Sequence, residues 1–416
     1  AYLSITICTI VKFILIILMN KMTDSFDILI VGGGVVGSST AYHLAELSNS
    51  KVGLIERSQI CSGGTARSCA IIRSHYSVPS NTALTVKSIE IFRDFKKYLG
   101  DTSLESGFVQ SGYLILAPEG ETSDKLVENL KMQKEIGAET MQISHKEALE
   151  FHPLLNLNDI GAVGYEPFSG YADPYLTTTG FANAAKRQGV ELITNQGVKK
   201  LLTKGNKVIG VDTESGVIHA GLIILSTGPW IKDLTDPLNI DTYLDISRHS
   251  VITLKSESEY DFKLPIIKDL STKNKMYFRP SSGGVVLVGT GDHGDPIKHP
   301  DLMDEEIVDD FIINQGRQIS NRMPSFENAR VTNDWVGAYD ITPDWNPVLG
   351  EPDGWEGLIL AYGFSGHGFK MAPAVGKMLA QKAVGIEQDI DISPYSHSRF
   401  KEDLLLSGAY GIGSIS

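Results

Sequence analysis

Three observations predict an α/β protein in which a nucleotide-binding domain is interleaved with a second domain built on a mostly antiparallel sheet. An apolar strand runs straight into glycines in FDILIVGGGVVG, Phe26–Gly37. Strand-like and helix-like segments then follow one another along 416 residues, more than one ordinary core holds, with no internal repeat and no low-complexity linker. Finally, Thr227-Gly228-Pro229-Trp230 returns the chain to the nucleotide domain after a run of short strands.

Ile28 to Val31 are strand formers, and Gly32, Gly34 and Gly37 give G-x-G-x-x-G, with Gly33, Val35 and Val36 between them. One glycine makes the tight turn, one admits backbone to a pyrophosphate, and one lets helix pack on strand; the pattern is Rossmann-like. Ser38 to Ser48 read as the helix, whose N-terminus favours an anion. A second strand, Lys51 to Ile55, ends at Glu56, about twenty residues past the glycines, where a ribose hydroxyl pair needs an acceptor. A glycine-rich structural turn would not explain Glu56.

The net charge of −13 argues against nucleic acid and against an anionic membrane surface, so an anionic substrate would need local cations. The three cysteines, Cys8, Cys61 and Cys69, have no zinc spacing, no metal site is expected, and an odd count suits a reducing cytoplasm. Residues 1–21 stand apart: 5–19 are almost wholly apolar but short for a membrane span. They are expected to lie outside the working fold, upstream of a start at Met19 or Met22, with a membrane anchor as the alternative.

Further along, Arg57 to Ser74 form a loop rich in Gly, Ser and Thr, suited to a ligand that extends deep into the protein. Helices are expected at Asn81–Tyr98 and Glu121–Ile136, and at Pro174–Gln188 behind an Asp173 cap. Strands are expected at Gly112–Ala117, Gly189–Thr194, Val198–Thr203, Lys207–Thr213, Ile218–Ser226, Arg248–Lys255, Met276–Arg279 and Val285–Gly289. Asp304–Ile319 reads as an acidic helix, Val331–Leu349 as irregular, Leu358–Ala361 as a strand, and Ala374–Ala383 as a last helix with Pro373 in its first turn.

Three stretches, FDILIVGGGVVG with Glu56, GGTARSCAIIRSHY at Gly63–Tyr76, and GFSGHGFK at Gly363–Lys370, carry a resemblance to the flavin-dependent amine oxidoreductases of the D-amino acid oxidase superfamily. TPDWNPVLG at Thr342–Gly350 supports it, and the likeness is greatest to the sarcosine oxidase (β-subunit), proline dehydrogenase and glycine oxidase branch. The resemblance implies FAD, its diphosphate on Gly32–Gly37 and its adenosine ribose on Glu56. It implies that Gly64, Thr65, Ala66, Arg67 and Ser68 border the cofactor, with Thr227 and Gly228 near the adenosine, and it assigns Arg57, Val198 and Trp230 to the same site. Gly337 to Asp340, together with Gly366, His367, Gly368, Phe369 and Lys370, would approach the flavin ring.

Arg73 and Lys370 match that branch's clamp for a substrate carboxylate, and His249 is a candidate to point into the site. His75, Tyr76 and His367 are further candidates for tuning. Gly337 stands where monomeric sarcosine oxidases carry a flavin-linking cysteine, so FAD is expected to be non-covalent, and Cys69 to be a small buried filler. The FAD-binding domain is expected at 22–106, 160–242 and 328–396, the substrate domain at 107–159 and 243–327, and a C-terminal tail at 397–416. The function expected is hydride transfer from a small carboxylated amine to FAD, with electrons passing to oxygen or to a protein, quinone or dye acceptor; a partner-dependent redox subunit is the alternative. A nicotinamide dehydrogenase is disfavoured by the glycine-serine loop and GHGFK.

Overall fold

The computed structural model describes residues 25–257, 260–261, 263–291 and 294–413. The apolar stretch expected as an extension or anchor, and Cys8 within it, lies outside them. Among the described residues no helix is long and apolar enough to cross a membrane.

One sheet has the order Val348–Gly350, Leu358–Tyr362, Gly216–Leu225, Ser25–Val31, Val52–Ile55, Glu191–Ile193. The strands from Leu358 to Glu191 run parallel, and Val348–Gly350 closes one edge antiparallel. Val198–Lys204 and Lys207–Thr213 form an antiparallel flap on Gly216–Leu225. The first strand is fully buried from Ile28 on, as a sheet covered on both faces requires. The glycine-loop helix, Val35–Leu47, packs against the last helix, Gly368–Ala383. At their crossing a Cβ on Gly376 would sit 2.7 Å from Ser39 Cβ, so glycine sets that approach.

The second sheet, of nine strands, is antiparallel except where Ile266–Asp269 runs parallel to Tyr113–Pro118. Alternation splits its faces. Leu114, Leu116, Ile267 and Phe278 share a core with Ile319, Met323 and Phe326 behind it. Tyr113, Lys268 and Tyr277 lie on the other face, where Lys268 pairs with Tyr277 and Ile266 with Tyr113.

Several expectations change. Arg330–Ile341, read as irregular, is a twelve-residue strand bonded along Asp245–Lys255. Its first five residues are exposed, so pairing rather than an apolar pattern makes it a strand. The last helix starts at Gly368 and holds Pro373 inside it, at the loss of one early backbone bond. Asp94 divides the expected helix into Pro79–Arg93 and Phe95–Tyr98. The acidic helix is Asp309–Arg322. Ile160–Glu166 and Arg330–Ile341, in segments expected in the FAD-binding domain, pair within the nine-stranded sheet.

The segment expected as a tail is packed. Arg399, 1% exposed, donates to both Asp344 oxygens at 2.8 and 2.9 Å and to the Asn346 carbonyl at 2.7 Å. Leu406 N–H donates to the same carboxylate at 3.1 Å. Removing one partner of such a pair strands the other charge in the interior. Arg399→Leu is expected to lower stability by about 3–5 kcal/mol, read as a fall in urea midpoint; an unchanged midpoint would contradict this packing.

Candidate active site

A cleft opens at the carboxyl ends of Ser25–Val31 and Val52–Ile55, the place where a parallel sheet offers its helix N-termini. Gly32 turns the chain there at φ +109°, and a Cβ on it would come within 2.5 Å of the Ser226 carbonyl oxygen. Gly34 caps the helix, and Val35 N–H donates to Thr65 Oγ1 at 3.2 Å, tying the glycine turn to the glycine-serine loop. Glu56 is held by Gly33 N–H at 2.8 Å and Ser58 N–H at 2.9 Å.

Most of the residues assigned from the sequence line this cleft. Gly32, Gly34, Val35, Val36, Glu56 and Arg57 form one wall. Gly64, Thr65, Arg67 and Ser68 form the second, and Val198, Thr227, Gly228 and Trp230 the third. Gly337, Asp340, Gly366, Gly368 and Phe369 close the far end. Gly33, Gly37 and Ala66 do not line it: Gly33 serves through its bond to Glu56, and a Cβ on Gly37 would strike the Gly32 carbonyl, so Gly37 sets helix on strand. His367 and Lys370 line a second cavity instead.

The far end is set by three devices. Arg67 donates to the Val336 carbonyl at 2.7 Å and accepts, through its own carbonyl, from Trp335 Nε1 at 3.0 Å, so loop and strand Arg330–Ile341 move together. Asp340 accepts from Gly363 N–H at 2.7 Å, and burial pushes its carboxyl up to about 6. The last helix begins at Gly368, leaving first-turn N–H groups open beside the cleft.

The second cavity shares Ser68, Tyr339 and Gly366 with the cleft. Its walls include Arg73, Lys268 and Lys370, each less than a tenth exposed, and no Asp or Glu stands among the described residues lining it. Arg73 lies over the Tyr76 ring at 4.2 Å and donates to the His75 carbonyl. Burial opposes its charge, but Tyr76, Tyr113 and Glu166 hold its pKa above the ordinary value. Lys370 Nζ reaches the Gly366 carbonyl at 3.4 Å; burial, then Arg73, pushes its pKa well down.

His249 does not line either cavity. It stacks on Tyr339 at 4.4 Å and meets the Tyr277 hydroxyl at 3.0 Å, so it braces two tyrosines that do; burial lowers its pKa to about 3 and keeps it neutral. His75 faces Gln133 and Tyr410, each at 3.2 Å, and burial lowers it to about 3 as well. Cys69 is on the wall, its Sγ 3.1 Å from the Tyr277 hydroxyl, rather than a filler in the core. Lys268, Tyr113, Tyr277 and Thr290 escaped the sequence reading, and Tyr339 entered it only within the stretch Gly337 to Asp340. PIIKD did hold a signal, a lysine inside an apolar run, but the face it takes depends on pairing.

Residues 27–382 match the family model described as FAD dependent oxidoreductase. The chain is 28% identical to FAD-dependent oxidoreductase domain-containing protein 1 of Xenopus laevis, covering 90% of this chain and 82% of that one. It is 27% identical to sarcosine oxidase subunit beta of Arthrobacter sp, covering 92% and 93%. Among solved structures, L-proline dehydrogenase from P. horikoshii superposes with a TM-score of 0.84 at 28% identity, covering 92% and 100%.

The cleft fits FAD on its own features. Thr227 Oγ1 is buried there without a hydrogen-bond partner among the described residues, the glycine turn leaves no Cβ in the way of a diphosphate, and Glu56 presents a fixed acceptor. Replacing Glu56 by Ala is expected to weaken FAD binding by about 1.5–3 kcal/mol, roughly ten- to a hundred-fold. Quenching of FAD fluorescence by the apoprotein measures it, and an unchanged dissociation constant would remove Glu56 from the cofactor site.

Proposed function

The chain belongs to the FAD-dependent oxidoreductase family, and from that premise we propose that it oxidises the C–N bond of a small carboxylated amine of the sarcosine, proline or glycine type. At the coarser level it is an FAD-dependent amine or amino acid oxidoreductase. The observation that carries the finer reading is the second cavity. It is walled by buried basic side chains, has no lining carboxylate among the described residues, and shares Ser68, Tyr339 and Gly366 with the cofactor cleft.

Bound FAD supplies the hydride acceptor. The chain's part is to hold the carbon next to nitrogen against it. In a protein of net charge −13, Arg73 and Lys370 reverse the local field for a carboxylate. Arg73 is fixed against the Tyr76 ring and the His75 carbonyl, so little freedom is lost when its fork meets an anion. Lys370 rides on the last helix beside the cleft, one residue past Phe369. Tyr277 and Tyr339, braced by His249, complete the wall of this cavity. A neutral amine needs no separate base, and the product imine hydrolyses in solvent. FAD is held without a covalent link, since Gly337 has no side chain to offer and Cys69 turns its sulfur to Tyr277.

The likeness to a protein named as a subunit favours a second reading, in which electrons leave through a partner subunit rather than to oxygen or a dye. Turnover by the isolated chain with oxygen or a dye counts against it.

Steady-state assays with a dye acceptor over sarcosine, L-proline, glycine and N-methyl amino acids test the reading. Arg73→Gln and Lys370→Met are each expected to lower kcat/KM for the best substrate by about 2–4 kcal/mol, with full flavin content. Unchanged kcat/KM in both variants would overturn the clamp.

A further inference from the structure

We propose that the substrate carries a second carboxylate besides the one next to its amine, and that Lys268 receives it. The inference rests on the reading of the second cavity as the dock for a carboxylated amine.

Lys268 sits in the middle of Ile266–Asp269, a strand buried along its whole length, and its side chain is about as buried as those of Arg73 and Lys370. The register puts it opposite Tyr277, on the sheet face that carries Tyr113, and all three line the cavity with Arg73. Its Nζ donates to the Lys275 carbonyl at 2.7 Å and lies 5.6 Å from the centre of the Tyr277 ring. A carbonyl dipole and a ring face steady an ammonium but do not neutralise it.

The neighbouring carboxylates, Asp269 and Glu166, do not line the cavity. Asp269 follows Lys268 in the chain, points to the opposite face and accepts from Arg322 Nε at 2.8 Å. Glu166 is held by Ser74 and Ser169, and its charge acts on Arg73. Three cationic side chains therefore face one small cavity with no acid on its walls among the described residues. One carboxylate shared by Arg73 and Lys370 would still leave Lys268 without an anion. Uncompensated charge in an interior is expensive. Burial first, and then the charge of Arg73, drives the pKa of Lys268 well down, and that of Lys370 likewise, so the protein groups of the cavity alone disfavour charge on both lysines. A substrate with two carboxylates removes that resistance, and one with a single carboxylate removes only part of it. The class indicated is a small amine with one carboxylate beside nitrogen and a second further along, of the N-alkyl aspartate or glutamate kind. The competing role for Lys268, a tie between its strand and the Lys275 turn, predicts no such preference.

The test uses the FAD-loaded full chain and two anions of equal carbon number, succinate and butyrate, each titrated against the flavin absorbance band. Succinate is expected to bind about ten-fold more tightly or better, and Lys268→Met to bring the ratio of the two affinities close to one. Lys268→Gln provides the same comparison if the methionine variant does not fold. Equal binding of the two anions by the unmodified chain, or a ratio that survives both substitutions, overturns the second-carboxylate assignment alone. Failure of both anions to perturb the flavin would bring down the carboxylate dock itself, and this assignment with it.

Discussion

Backbone must pass backbone more closely at the start of this fold than any Cβ permits, and the arrangement of the site follows from that. Gly37 lets the helix Val35–Leu47 settle against the Gly32 turn, and Gly376 lets the last helix settle against Ser39. These two contacts fix both helices whose first turns border the cofactor cleft. The anion-attracting ends are thereby aimed before any ligand arrives, and the cost falls on sequence freedom at a few glycines.

The second sheet contributes by reaching across. Arg330–Ile341 bonds along Asp245–Lys255 but ends with Gly337, Tyr339 and Asp340 on the cleft wall. Arg67 ties that strand to the glycine-serine loop from the other side. The cofactor cleft and the second cavity are therefore neighbours through shared residues. The charge pattern has the same logic. An acidic protein gathers buried basic side chains from a loop, a strand and the last helix around one cavity, and keeps the buried acids Asp269, Asp344 and Glu166 bonded to Arg322, Arg399 and a pair of serines.

What could be read from the sequence was local. The strand, glycine turn, helix and Glu56 follow one another within a few dozen residues, and each has a side-chain requirement that composition cannot imitate. The same holds for GHGFK, where glycines precede a helix. What could not be read depended on pairing. Arg330–Ile341 has five exposed residues in a row and becomes a strand through its partner. Lys268 became a wall residue because of the register with Tyr277, and His249 was displaced from the wall because Tyr277 and Tyr339 stand in front of it. The segment from 397 on offers no periodic pattern, and its packing rests on Arg399 meeting an aspartate 55 positions away.

The central claim is that a carboxylate dock presents an amine to FAD. The direct measurement is an anaerobic titration of the FAD-loaded chain with matched pairs that differ by one carboxylate, sarcosine against dimethylamine and L-proline against pyrrolidine. The account predicts that the oxidised flavin band bleaches with a carboxylated member and stays unchanged with its partner. Bleaching by both members of a pair to the same extent, or by neither member of any pair but by NADH, would contradict it.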